Sequence, residues 1–250
     1  MFKNVSIKLA RLQLKSRAPS RRCRAIRTLS KFNNDPSIRV DLQNALLDSE
    51  WAIRDAAIRA LRPFPLSPGM KPTLIHIITT EPNWAIRSQA LDLLQDDPDP
   101  LLIPAFIQAA QSDDVWIAIE AIAILGKRKD PSVLPALLSA LHASAHGDSY
   151  DDARARQADR PLSDAHEDLR SRVAEAEGMA QWEMDIADLR ATAAQALGAL
   201  GDTAAVPDLI RALYDTHPTA IPEAAAQALE QIGTDEAQTG LSAWRDRSIE

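Results

Sequence analysis

Along most of the chain the apolar residues fall at i, i+3, i+4 and i+7, the one-sided spacing of an amphipathic helix, and the arrangement itself recurs. An arginine, two free positions, a small or apolar pair, one free position and a small or apolar residue before leucine make up the unit. It occurs as Arg22 with Ala25, Ile26 and Leu29, as Arg54 with Ala57, Ile58, Ala60 and Leu61, and as Arg87 with Ala90, Leu91, Leu93 and Leu94. Ala118 replaces the arginine in a fourth copy with Ala121, Ile122, Ile124, Leu125 and Gly126. The fifth has Arg190, Ala193, Ala194, Ala196, Leu197 and Gly198, and the sixth Pro222, Ala225, Ala226, Ala228, Leu229 and Gly233.

The six copies start 32, 33, 31, 72 and 32 residues apart, so one repeat carries an insertion of about 40 residues, placed between 145 and 184. Between copies lies a second amphipathic segment, such as Leu42, Ala45 and Leu46 or Val133, Leu134, Leu137, Leu138 and Leu141. Each unit therefore predicts a pair of helices. Alanines in the second helix allow its neighbours to approach at the close end of the usual spacing of about 8–10 Å, with leucines keyed between them. A single pair cannot bury both its faces, so successive pairs stack. Asp35-Pro36, Asp97-Pro98 and Asp130-Pro131 are expected to end one helix and start the next, since proline is tolerated in a first helical turn. The pattern predicts an all-α, right-handed solenoid of about six helix pairs, a single domain over 1–250 interrupted by one inserted loop and helix.

Composition agrees. Eight glycines, 16 prolines and few aromatics do not suit a β-sandwich or barrel, and 46% hydrophobic residues suffice for a core. The one cysteine, Cys23, makes neither an intrachain disulfide nor a cysteine-based zinc site, which suits a reducing, cytoplasmic setting. No apolar run reaches the roughly 18 residues of a membrane span, so no membrane is expected among the partners. Charge is uneven: residues 1–34 hold ten Lys or Arg and no acid, whereas the remainder has 18 basic against 35 acidic residues, a balance of −17. An acidic body argues against wholesale binding along a phosphate backbone, where each contact needs a cation. The basic N-terminus keeps a local nucleic-acid contact open. Residues 1–18 also read as a targeting presequence, with Lys3, Lys8, Arg11, Lys15 and Arg17 among apolar and hydroxyl residues. Against that, Val5, Leu9 and Leu12, with Ile7 and Leu14 beside them, make the stripe expected of a packed helix.

The segments LRATAAQALGALGDTAAVPDLIRAL (189–213), WAIRDAAIRAL (51–61) and LGKRKDPSVLPALLSAL (125–141) resemble HEAT repeats, of the short kind found in phycobiliprotein lyases and bacterial scaffold proteins. The resemblance covers nearly the whole chain apart from the insertion, and it implies a fold rather than an activity. It implies that the repeat arginine bonds a turn aspartate of an adjoining unit, giving Arg54, Arg87 and Arg190, with Asp130 and Asp202, a structural role. It also implies that the second helices line a concave side. The free positions facing that side are then Arg24, Arg27, Arg59, Arg62, Gln89, Asp92, Glu120, Thr192, Gln195, Glu223, Gln227 and Glu230, a face grading from basic to acidic. A bound polypeptide would lie with its acidic part near the first repeats. Trp51, Trp84 and Trp116 recur near the starts of second helices. Repetition at the repeat period points to a stacking role at the turn; the alternative is a row that anchors a partner.

The insertion is polar. HGDSYDDARARQADRP has no helical stripe and predicts a loop, whereas Ser163 as an N-cap before Leu169, Val173, Ala176 and Ala180 predicts an extra helix leading through Trp182 and Met184 into the interrupted repeat. His142 and His146, four residues apart, with Asp148, Asp151, Asp152 and His166 nearby, resemble a two-His-one-carboxylate metal set. Gly147 is expected to end the helix there, and the helix dipole by itself favours a histidine at that end, so no metal is assigned. The iron enzyme deoxyhypusine hydroxylase, of HEAT type, uses several His-Glu pairs; this chain has only His166-Glu167. Cys23, among Arg21, Arg22 and Arg24, has no histidine near it in sequence to serve as base. Phosphate-cradling glycine loops, the Gly-x-Ser-x-Gly elbow and His-Glu-x-x-His do not occur, and no catalytic residue or cofactor is assigned.

Three functions follow in order of expectation. The first is a non-catalytic scaffold or adaptor that binds a partner protein or peptide on the concave face. The second follows from the resemblance to phycobilin lyases: a subunit that attaches or removes a bilin together with a second subunit, with Arg54, Arg59, Arg62 and Arg87 for propionates beside Trp51 and Trp84. The third is nucleic-acid binding through Lys15, Arg17, Arg21, Arg22, Arg24 and Arg27.

Overall fold

A computed structural model describes residues 2–32, 35–144, 165–215 and 220–247. Thirteen α-helices and no strand occur among them, and the helices fall into the expected pairs. The chain divides into two compact units, Met1–Ala109 and Ala110–Glu250.

In the first unit the pairs are α1 (Phe2–Leu14) with α2 (Pro19–Leu29), α3 (Pro36–Ala45) with α4 (Trp51–Leu61), and α5 (Lys71–Thr80) with α6 (Trp84–Leu94), while α7 (Ile103–Ala110) closes it. The second helices α2, α4 and α6 lie side by side in one layer. Burial follows the repeat: Ala25, Ile26, Leu29, Ala57, Ile58, Leu61, Ala90, Leu91 and Leu94 are all sealed from solvent. A fully buried leucine of this kind contributes roughly 1.5–3 kcal/mol.

The second unit holds α8 (Val115–Arg128), α9 (Leu134–Leu141), α10 (Ala165–Leu200), α11 (Val206–Ala212), α12 (Ala220–Ile232) and α13 (Asp235–Arg247). Here α10 packs against both α8 and α12, and α13 covers α11 and α12 through Ala237 and Leu241. The second half of the insertion is not a separate helix. It runs without a break into the second helix of the fifth repeat, making α10 36 residues long. Where the repeat resumes, Gln181, Trp182, Glu183 and Met184 are exposed, and Asp185, Ile186 and Ala187 are buried. His146, Asp148, Asp151, Asp152 and Ser163 lie outside the described residues, as do the side chains of His166, Leu169, Val173 and Ala176.

Local chemistry sets the helix boundaries. The side chains of Asp35, Asp130 and Asp202 accept from the backbone N–H of Ser37, Ser132 and Ala204 at 3.1, 2.9 and 2.9 Å. Asp97-Pro98 departs from expectation. The capping step is Asp99-Pro100, whose carboxylate accepts from Leu101 N–H at 3.0 Å, while Asp97 joins Asp99 in accepting from Lys71 Nζ, each at 2.9 Å. Those two hydrogen bonds, Asp99 first, raise the pKa of Lys71.

In the second unit each second helix ends on a residue with left-handed backbone: Lys129 (φ 52°), Gly201 (φ 75°) and Gly233 (φ 69°). Only glycine adopts this conformation without steric penalty. Lys129→Gly is therefore expected to stabilise the protein by roughly 0.5–1 kcal/mol, read as a higher urea midpoint at unchanged slope.

One stripe is placed on the wrong side by periodicity. In α1 the residues that pack are Ile7 and Ala10, 5% and 2% exposed, whereas Val5, Leu9 and Leu12 are 61%, 56% and 69% exposed. The helix is apolar on two faces, and spacing does not say which of them meets α2.

Candidate functional site

The repeat arginines occupy matching sockets. Arg22 makes two parallel bonds to Asp48 (Nε to Oδ2 2.8 Å, Nη2 to Oδ1 2.9 Å) and donates from Nη1 to the Ser16 carbonyl at 2.9 Å. Arg54 repeats this with Glu81 (Nε to Oε2 2.6 Å, Nη2 to Oε1 2.7 Å) and with the Asp48 carbonyl at 2.8 Å. Arg190 donates to Asp215 Oδ2 at 2.5 Å and to the Leu141 carbonyl at 2.8 Å. Each arginine thus ties the turn of its own repeat to an acid in the turn of the next. For Arg190 the carbonyl lies 49 residues back instead of six, so the insertion leaves the socket closed. The expected acids, Asp130 and Asp202, are not the partners. They sit between repeats and cap helices, whereas the arginine reaches the turn within the following pair. A spacing of 25 to 27 residues from arginine to acid is the signal that identifies Asp48, Glu81 and Asp215.

Glu81 is buried, which pushes its pKa up, but the guanidinium of Arg54, the backbone N–H of Asn83 and the charge of Arg87 outweigh this and hold the carboxyl below its ordinary value. The hydrogen bonds that Arg54 donates to Glu81 in turn raise the pKa of Arg54. These are structural ion pairs, and they occupy Arg22 and Arg54 fully.

The free positions of the second helices do reach the surface. Arg24 and Arg27 on α2 are exposed, and so are Arg59, Arg62 and Asp92. In the first unit the structure joins several of them. Arg59 Nε donates to Asp55 Oδ1 at 3.0 Å, Gln89 Nε2 donates to the same oxygen at 3.0 Å, and Arg62 Nη2 lies 2.8 Å from Asp92 Oδ2. Asp55, not singled out from the sequence, links α4 to α6. The basic character of this face is therefore weaker than a count of arginines suggests.

In the second unit α8, α10 and α12 border a groove of about 390 Å³. Trp116 and Ile119 come from α8, Asp188, Thr192 and Gln195 from α10, and Glu223 and Gln227 from α12. Gln195, Glu223 and Gln227 were expected on this face; Glu120 is half-buried on α8 and does not line the groove. Ile119 and Asp188 were missed, because they fall outside the free positions of the repeat pattern. Gly126 and Gly198 bring the three helices together: a Cβ on Gly126 would lie 2.7 Å from Ala196 Cα, and one on Gly198 2.6 Å from Ala228 Cα.

Trp51, Trp84 and Trp116 are 57%, 56% and 53% exposed. A tryptophan that seals a seam loses most of its surface; these three keep more than half. His142 ends α9 and places Nε2 3.0 Å from Asp208 Oδ1, within hydrogen-bonding distance at a helix C-terminus. No group of three or more metal-ligating side chains occurs among the described residues. Cys23 is a half-buried free thiol. No helix among the described residues is long and apolar enough to cross a membrane.

The chain is similar in structure to the Escherichia coli YibA protein, with a TM-score of 0.55 at 18% identity over 92% of this chain and 67% of that one. A second similar structure is the complex of CpcE and CpcF of phycocyanin lyase from Nostoc sp. PCC7120, with a TM-score of 0.41 at 19% identity over 96% of this chain and 94% of that one. No curated protein matches the sequence. The family of HEAT repeats matches residues 71–158 and 183–248. Paired helices at a 32-residue period, closed by arginine sockets between successive turns, carry the same conclusion from the structure: the chain belongs to the HEAT-repeat family.

Proposed function

We propose that the protein is a non-catalytic interaction scaffold or adaptor that holds a partner protein or peptide on the face of its second helices. The observation that carries this reading is the exposure of Trp51, Trp84 and Trp116, at nearly the same register in three repeats. Large aromatic surface left in water costs free energy and is recovered when a partner covers it, which is why tryptophan concentrates at the centres of protein interfaces. Arg24 and Arg27 in the first unit, and Gln195, Glu223 and Gln227 in the second, are exposed polar groups suited to the rim of such an interface.

Chromophore handling fits less well. Arg54 is held by Glu81, Arg59 by Asp55 and Arg62 by Asp92, so three of the four cations meant for propionates already have carboxylates.

The test is affinity capture from native lysate with the intact protein and with a Trp51→Ser, Trp84→Ser, Trp116→Ser variant. These side chains are exposed, so the melting temperature is expected to change by only a few degrees. Specific proteins retained by the intact chain and lost from the variant are the expected result. The same set retained by both overturns the reading.

A further inference from the structure

We infer that the groove between α8, α10 and α12 binds an arginine-bearing segment of an extended polypeptide, the guanidinium lying against Trp116 and between the carboxylates of Asp188 and Glu223. The inference rests on the scaffold reading and names the chemistry of the partner for one part of it.

Among the described residues the groove carries two acids and no compensating cation. Of the described side chains that line it, Asp188 and Glu223 are carboxylic acids, and none is a lysine, arginine or histidine. Several other surface acids are neutralised within the protein: Asp48 by Arg22, Asp92 by Arg62, Asp208 by Arg211 and Glu230 by Arg245. Asp188 and Glu223 form no ion pair among the described residues, and both are exposed. Two carboxylates on neighbouring helices, without an ion pair among the described residues, raise the local concentration of a positively charged ligand and reward its arrival with charge-assisted hydrogen bonds.

The apolar part of the groove selects among cations. Trp116 offers a half-exposed indole, and Ile119 lies one helical turn further along α8. A guanidinium stacks on an indole face while donating in its own plane to carboxylates, and the three-carbon stem covers the aliphatic surface beside it. An ammonium has no plane to stack, so arginine is preferred to lysine. Gln195 and Gln227 stand one repeat apart on α10 and α12, and each primary amide both donates and accepts. That pair suits the N–H and C=O groups of an extended backbone. Three helices at about 8–10 Å spacing span roughly 20 Å, the length of about six extended residues.

The experiment selects binders of the full-length protein from a displayed library of random twelve-residue peptides and measures affinities of the enriched sequences by fluorescence anisotropy. Enrichment of arginine beside an apolar residue is expected. Asp188→Asn and Glu223→Gln are each expected to weaken binding about tenfold, Trp116→Ala at least as much, and replacement of the peptide's arginine by lysine by a smaller factor. Affinity is also expected to fall as salt rises. All three positions are exposed, and circular dichroism of each variant checks that the fold is kept. Enriched peptides without net positive charge, or binding indifferent to Asp188→Asn and Glu223→Gln, overturn the inference. If such peptides instead lose affinity on Arg24→Glu or Arg27→Glu, the scaffold reading survives while this site falls; if the selection enriches nothing, both fall.

Discussion

Arg54→Ala is expected to destabilise the protein by about 3–5 kcal/mol, the range for removing one member of a buried ion pair. The reason lies with what stays behind. Glu81 has a side chain only 4% exposed, and without the guanidinium it keeps a charge that neither water nor another bidentate donor satisfies. The carbonyls of Asp48 and Ser49 lose the donor at Nη1 as well. Because a repeat array spreads stability through neighbouring interfaces, the loss should concentrate in α4, α5 and α6, seen as faster amide hydrogen exchange there than in the second unit. Arg54→Lys is expected to recover little, since one ammonium cannot reach both carboxylate oxygens and the two carbonyls in the same fork.

The same pair imposes a pH dependence of defined sign. The pKa of Glu81 is lower in the folded protein than its ordinary value of 4.5, so the folded state binds the proton less readily than the unfolded chain. Its stabilising contribution is complete above the unfolded pKa and is lost as pH falls through the folded one. Urea midpoints of the natural protein should therefore fall on acidification from about pH 5 towards pH 3. The Glu81→Gln variant starts lower and falls less over the same interval. Parallel curves for the two proteins would show that Glu81 does not couple to folding.

The arginine sockets also show where a sequence stops being legible. The helix pairs, their order and the place of the insertion follow from apolar spacing, because burying one face of a helix leaves a mark at every third or fourth residue. Partners across a repeat leave no such mark. Arg54 has several acids within one period, and only the folded path of the turn after α5 brings Glu81 to it in place of Asp48 or Asp55. Arg59 and Arg62 were legible as surface residues but not as occupied ones, since Asp55 and Asp92 reach them through helix geometry on α4 and across to α6. Trp116 is ambiguous in the sequence for a different reason: repetition at the repeat period accompanies both stacking and partner binding. The extra helix before the fifth repeat is legible, as is its path through Trp182 and Met184 into that repeat, and Ala180 to Asp188 contains no glycine or proline to break it, so it continues as α10.

Gly126→Ala and Gly198→Ala are each expected to cost about 1–3 kcal/mol, although the same change in the middle of an isolated helix gains about 1 kcal/mol. The sign reverses because neither position has room. A methyl on Gly126 would meet Ala196 Cβ at 2.5 Å and Cα at 2.7 Å, and one on Gly198 would meet Ala228 Cα at 2.6 Å. Backbone lies on the far side in both cases, so relief requires α8 and α10, or α10 and α12, to move apart, which withdraws Ala193, Ala194 and Leu197 from the neighbours that bury them. Ala196→Gly combined with Gly126→Ala should restore only part of the loss, because it removes the methyl of residue 196 and leaves the new methyl pressed against the backbone of α10. Gly178→Ala provides the opposite expectation within the same chain: it sits on α10 with nothing within 4 Å of the new methyl, and it should stabilise by up to about 1 kcal/mol. Thermal and urea unfolding of the three variants decide the matter. If Gly126→Ala and Gly198→Ala stabilise as Gly178→Ala does, close helix approach is not what those two glycines provide; if they destabilise, the spacing of the layer that borders the groove depends on two missing methyl groups.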